Sequence, residues 1–88
     1  MNNQETPLTF PCEFPVKIMG RNSDTLEQDV VTIVRNHAPD LPDDAVRTRA
    51  SGKGNYLAIT VTLTATSRQQ LDNLYRELNA LEAVVMTL

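Results

Sequence analysis

Tryptophan is absent from this sequence, and cysteine and histidine occur once each, at Cys12 and His37. A single thiol leaves no disulfide framework and suits a reducing compartment. One cysteine and one histidine fall short of the ligand set of a zinc site. Nothing in the spacing turns one toward the other as a nucleophile–base pair. Cys12 therefore reads as a small filler at the start of a strand. Also missing is any run near the roughly 18 apolar residues that a membrane-spanning helix needs. The opening Met1-Asn2-Asn3-Gln4-Glu5-Thr6 has neither the basic start nor the apolar stretch of a secretory signal, so a cytoplasmic, non-membrane protein is expected. Positive charge is not in excess either. The formal net charge of −3 argues against a general affinity for nucleic acid or anionic lipid.

What is present is enough for one domain. Eighty-eight residues bury roughly 60 to 65 per cent of their unfolded surface, so a single modest core must carry the stability. Residues 1–12 are polar or proline-punctuated (Pro7, Pro11) and read as a flexible leader, and residues 13–88 as the folded domain. From Glu13 the pattern alternates: Phe14, Val16, Ile18 and Gly20 fall at every second position, which marks a strand with one buried face. Pro15 cannot donate to a ladder, so it is expected near an end, an edge or a bulge.

Asp24 with Glu27 three residues later reads as a capping box opening a helix. Leu26, Val30, Ile33, Val34 and Ala38 then form one stripe, which Val31 widens. Pro39 stops that helix. A weaker strand covers Ala45 to Ser51, with Arg47 and Arg49 on the face opposite Val46 and Thr48. Ser51-Gly52-Lys53-Gly54-Asn55 is turn chemistry. Tyr56 to Thr66 is the clearest strand, with Leu57, Ile59, Val61, Leu63 and Ala65 facing inward and four threonines facing out. Ser67 and Gln70 form a second capping box, ahead of a helix striped by Leu71, Leu74, Tyr75, Leu78 and Leu81. Ala83 to Leu88 reads as a last strand. The order β-α-β-β-α-β predicts an α+β domain, a four-stranded antiparallel sheet with both helices on one face, the ferredoxin-like plan.

Such a plan leaves one sheet face bare. Lys17, Met19, Arg47, Arg49, Thr60, Thr62 and Thr64 are expected there, with Tyr56 near the hairpin. An open face with cations could bind single-stranded nucleic acid, but that needs aromatic platforms in mid-strand, and threonines occupy those positions. A solvated face, or one pairing with a second subunit in a homodimer, fits better. Gly52-Lys53-Gly54 is not a phosphate loop: the Walker pattern needs glycine at position 47 and Ser or Thr at 54, where the chain has Arg47 and Gly54. His37, in the last turn of the first helix, complements the helix dipole. Asp40, Asp43 and Asp44 fit no calcium-loop spacing and read as a solvated loop. The chain offers no catalytic set, no metal set and no cofactor motif. The turn Gly20-Arg21-Asn22-Ser23 meets the first helix at its electropositive end. A carboxylate ligand could dock there, with Arg21, and Arg49 if the fold brings it close.

Several segments together resemble the YbeD-like family of small proteobacterial proteins. They are Phe14-Pro15, Lys17 through Gly20, His37-Ala38-Pro39, Ser51 through Tyr56, Leu74 through Leu78 and Val84 through Leu88. The resemblance covers nearly everything after residue 12. It implies an ACT-like, ferredoxin-like regulatory domain with a proposed link to lipoate metabolism. Through the ACT-like relationship it implies small-ligand binding at the turn after the first strand, carried here by Gly20, Arg21 and Asn22. Partners are expected to be a small carboxylate or another protein.

Overall fold

The computed structural model of the chain describes residues 8–88. Most of the leader expected over residues 1–12 thus lies outside the described residues. Strand β1 (Cys12–Arg21) opens the fold. Helix α1 (Leu26–His37) follows, then a 3-10 turn (Asp43–Ala45) and strands β2 (Val46–Ala50) and β3 (Tyr56–Ala65). Helix α2 (Arg68–Ala80) and strand β4 (Val84–Thr87) complete it. The sheet order is β2-β3-β1-β4 and every neighbouring pair is antiparallel. This is the ferredoxin-like arrangement that the element order predicts. Among the described residues no helix is long and apolar enough to cross a membrane.

The core forms where the two periodicities meet. Val16 and Ile18 of β1 and Ile59, Val61 and Leu63 of β3 turn one sheet face into an apolar floor. Leu26, Val30 and Val34 of α1 and Leu71, Leu74 and Leu78 of α2 close over it, all 5% exposed or less. β1 and β3, the two central strands, pair over ten residues from Cys12↔Ala65 to Arg21↔Tyr56. Pro15 sits opposite Thr62. Lys17 exchanges both backbone hydrogen bonds with Leu88 on the β4 side, so the nitrogen of Pro15, two residues back, faces that same flank beyond the end of β4. A missing N–H costs nothing there.

Two helix starts differ in how they are capped. Ser67 Oγ accepts from the Gln70 N–H at 3.0 Å, as the capping-box reading requires. The Gln70 side chain does not return to Ser67: its Oε1 accepts from the Thr66 N–H at 2.7 Å, and its Nε2 donates to the His37 carbonyl at 2.7 Å. One side chain thus ties the start of α2 to the end of α1. At α1 the expected Asp24–Glu27 box is not formed. Thr25 holds the N-cap position without a side-chain bond, and Ser23 Oγ accepts from the Leu26 N–H at 3.1 Å. The side-chain acceptor lies one residue earlier than Asp24 because β1 runs on to Arg21 and leaves only four residues of turn.

The last strand carries an irregularity that alternation hides. Met19 pairs with Met86, but Gly20 pairs with Val84, so β4 has one residue more than β1 at this point, a β-bulge. The bulge turns Val84 toward the core, where it packs. Met86 stays on the bare side with Met19, and Leu88 joins it opposite Lys17.

Candidate functional site

Two regions collect the residues that the sequence singles out. The first is the turn after β1. Gly20 is buried there, and a Cβ on it would stand 2.8 Å from the Ala83 carbonyl oxygen and 2.8 Å from Leu26 Cδ2. It lets β1 pack closely against the α2–β4 connection, and it is not one of the walls of the pocket beside it. Arg21 and Asn22 are exposed. Arg21 donates through Nη2 to the Glu82 carbonyl at 3.0 Å, and its backbone N–H donates to Ala83 at 2.8 Å. Asn22 is held by the β2–β3 hairpin: its N–H donates to the Asn55 carbonyl at 2.9 Å and its Nδ2 to the Gly54 carbonyl at 2.7 Å. The hairpin around 51–55 thus serves as a buttress for the turn.

Arg21 and Asn22 line a pocket of about 560 Å³ whose other walls include Ser23, Asp29, Leu81 and Glu82. Of the first-turn N–H groups of α1, which have no partners within a helix, that of Leu26 is taken by Ser23. The pocket carries one cation, Arg21, and two carboxylates, Asp29 and Glu82. Arg49 is not one of its walls. It lies on the bare sheet face, opposite Ala58.

The bare face is the second region. Its register assembles two rows across all four strands. One runs Arg47, Thr60, Lys17, Leu88 and the other Arg49, Ala58, Met19, Met86. Thr62 lies beside Pro15 in the next row, and Tyr56 lies opposite Arg21 at the far end of β3, away from mid-strand. The cations therefore stand on β2 at Arg47 and Arg49, on β1 at Lys17, and at the end of β1 at Arg21. The apolar end, on β1 and β4, was missed in part by sequence reasoning. Met19, Met86 and Leu88 are 37%, 46% and 71% exposed, and with Ala58 they border a cleft of about 190 Å³ whose walls are almost wholly carbon. A four-residue strand alternates too briefly to show its faces, and the bulge breaks its parity. Only the backbone register reveals Met86 and Leu88 as neighbours of Met19.

Of the remaining singled-out residues, His37 and Asp43 lie beside groups of opposite charge type. His37 ends α1, half-buried, with Nε2 3.2 Å from Glu77 Oε1 of α2. Asp43 pairs with Arg35, while Asp40 and Asp44 are exposed. Cys12 is half-buried against the core edge. A third hollow, of about 600 Å³, lies where β3 runs on past short β2, between Thr62, Thr64 and the 38–45 loop. Its charged walls, Glu13, Asp40, Asp44 and Arg47, mix both signs. At the β4 edge, Tyr75 donates its hydroxyl to the Leu88 carbonyl at 3.0 Å. Partial burial pushes its phenol above the ordinary value of 10.0, because the phenolate would lose hydration. Among the described residues no polar or charged side chain is fully buried.

Comparison with known proteins adds a lineage to this geometry. Residues 5–88 match the family described as "Protein of unknown function (DUF493)". A UPF0250 protein of Nitrosomonas europaea is 44% identical over 85 residues, covering 97% of this chain and 98% of that one. Another, of Chromobacterium violaceum, is 51% identical over 79 residues, covering 90% and 89%. Among solved structures, a solution structure of an H. pylori protein superposes with a TM-score of 0.72 at 14% identity, covering 99% of this chain and 91% of that one. The ACT domain from GTP pyrophosphokinase of Chlorobium tepidum gives 0.66 at 12% identity, covering 86% and 84%. These two likenesses are of fold: the chain has ACT-like structural neighbours.

Proposed function

We propose that this chain, which belongs to the DUF493 family of small proteobacterial proteins of unknown function, is a non-catalytic cytoplasmic regulatory module. It holds a small carboxylate ligand in the pocket beside Arg21 and Asn22. The observation that carries this reading is the mixed charge of the pocket walls. A ligand carboxylate would meet Arg21 and the electropositive start of α1. Asp29 and Glu82 would then be left to face a cation. An α-amino acid carries both charges and uses both sides of the pocket. Lipoate carries only the carboxylate and would leave the two acids facing an apolar chain. The ACT-like fold supports a regulatory rather than a catalytic use of the site, and the amino acid is the better-fitting ligand class.

The test is an amide-resolved NMR titration of the labelled protein with free lipoate and, separately, with single amino acids. Shifts clustered at residues 19–24 with one amino acid, and at least tenfold weaker binding in Arg21→Ala, are the expected result. Arg21 is exposed and its one side-chain hydrogen bond goes to a carbonyl, so the variant keeps its fold. A lipoate response at the same residues transfers the site to that ligand and supports the link to lipoate metabolism. Silence there with every ligand, or an Arg21→Ala protein that binds as tightly as the parent, removes the reading.

A further inference from the structure

The bare sheet face has a composition unlike the rest of the molecule. Lys17, Arg47 and Arg49 stand on its two central rows, in a chain whose formal net charge is −3. The register places one acid on this face, Glu13 opposite Thr64, and the loop acids Asp40 and Asp44 border it beside Arg47, all away from Arg49 and Met19. Across the same rows the cations give way to Met19, Met86 and Leu88. Between them, on β3, stand the small residues Ala58 and Thr60, flanked by long side chains on both neighbouring strands. The face is thus a shallow trough along β3, with Arg47 and Arg49 on its β2 bank and, on its β1–β4 bank, Met19, Met86 and Leu88 around the single cation Lys17.

That arrangement selects among occupants. A second copy docking through the same face would bring no acid to these cations, because its own two central rows carry none. A nucleic-acid strand would satisfy the cations but not the three exposed apolar side chains, and it would find no aromatic platform in mid-strand. An amphipathic helix with acids along one flank and apolar residues beside them matches both banks at once. A helix of about 10 Å diameter also suits a sheet whose four strands span roughly 14 Å at their ordinary spacing. We propose that the open face of the sheet is a docking surface for an acidic amphipathic helix of a partner protein, which lies along β3 between Arg47/Arg49 and Met19/Met86. The other face of the sheet already takes α1 and α2, so a partner helix would complete a three-layer sandwich.

The experiment is an NMR titration of the full chain with a synthetic peptide of about four helical turns. Leucines occupy one stripe and glutamates the adjoining flank, and three companion ligands serve as controls. One peptide has Gln for Glu, one has Ser for Leu, and the third is a single-stranded oligothymidine. Shifts confined to the amides around Met19, Ala58, Thr60 and Met86 are expected with the first peptide alone. Arg47→Ala/Arg49→Ala should weaken that binding about three- to tenfold, the loss of two exposed ion pairs. Met86→Ser should weaken it several-fold, and raised salt should weaken it further. Both variants change exposed side chains, so circular dichroism should show an unchanged fold. The proposal is overturned if the face stays silent at millimolar peptide or if the Gln peptide binds as well. Tighter binding of the oligonucleotide overturns it too. So does movement of these amides with protein concentration alone, which assigns the face to a second copy.

Discussion

Replacing Gly20 by alanine should destabilise the domain, for a reason that sets it apart from the other two glycines. The added methyl would stand 2.8 Å from a backbone oxygen, Ala83, and 2.8 Å from Leu26 Cδ2, where carbon contacts are favourable only near 3.5–4.0 Å. Neither neighbour retreats freely. The Ala83 carbonyl accepts the Arg21 N–H at 2.8 Å, and Leu26 is 1% exposed in the core. Overpacking of this kind costs about 1–3 kcal/mol. Against it stands a gain of about 0.4–1 kcal/mol from the stiffer unfolded chain. The net loss should be about 1–2 kcal/mol, a fall in Tm of roughly 5–15 °C for a domain of this size. Urea unfolding followed by circular dichroism reads it, with two internal controls. Gly52 has no atom within 4 Å of such a methyl, so Gly52→Ala should be neutral or stabilising by up to about 1 kcal/mol. Gly54 also has room but sits at φ +77°, so Gly54→Ala should cost about 1–2 kcal/mol through backbone strain alone. A Gly20→Ala protein within about 0.5 kcal/mol of the parent, inside the spread of ordinary surface substitutions, would refute the packing argument. So would a Gly52→Ala loss of equal size.

Four further outcomes test other joints of the fold. Leu78→Ala, at a fully buried position of α2, should cost about 2–5 kcal/mol in the same denaturation assay. Ser67→Ala removes the cap of α2 and should cost about 1 kcal/mol. Gln70→Ala removes bonds to both Thr66 and His37 and should cost at least as much as Ser67→Ala, with faster amide exchange at the end of α1 as its local signature. Tyr75 sets an alkaline limit. Its phenol is raised above 10.0 in the folded state, so the folded chain holds that proton more tightly than the unfolded one. The stability this confers is complete below pH 10 and drains away as pH rises through the folded value. Tyr75→Phe should lose stability less steeply above pH 10 when urea midpoints are compared, although it gives up the bond to Leu88 at all pH values.

The reading of the sequence succeeded where a segment is long and has a single period. β3 shows five inward residues in strict alternation, and α2 shows three leucines on one stripe, so nothing but a strand and a helix fits them. The faces of β2 could be assigned because Arg47 and Arg49 alternate with Val46 and Thr48. Reasoning by pattern fell short where a contact depends on a segment far away in sequence. Asp24 has the chemistry of a cap, but Ser23 supplies the accepting oxygen, because the pairing of Arg21 with Tyr56 decides where the turn begins. Gln70 has the spacing of a capping box, yet its amide is drawn to His37 by the packing of α2 against α1. In β4 the bulge opposite Gly20 separates Val84 from Met86, although both fall on the same parity. The turn pocket was half visible: Arg21 and Asn22 could be named, but Asp29, Glu82 and the supporting hairpin come from three other places in the chain.

The sheet order also constrains how the chain is made. β1 is the first of the described strands to be synthesised, yet both of its neighbours come later. Cys12 waits for Ala65, and Met19 waits for Met86. Until β3 is complete, Val16 and Ile18 have no sheet to join, and α1 has only half a floor to cover. The one pairing available early is the β2–β3 hairpin, which is local, whereas the central pairing must close a long loop and so sets the pace. A nascent copy therefore leaves the apolar face of β1 uncovered until β3 has been made, a period in which neighbouring nascent copies or a chaperone can reach it.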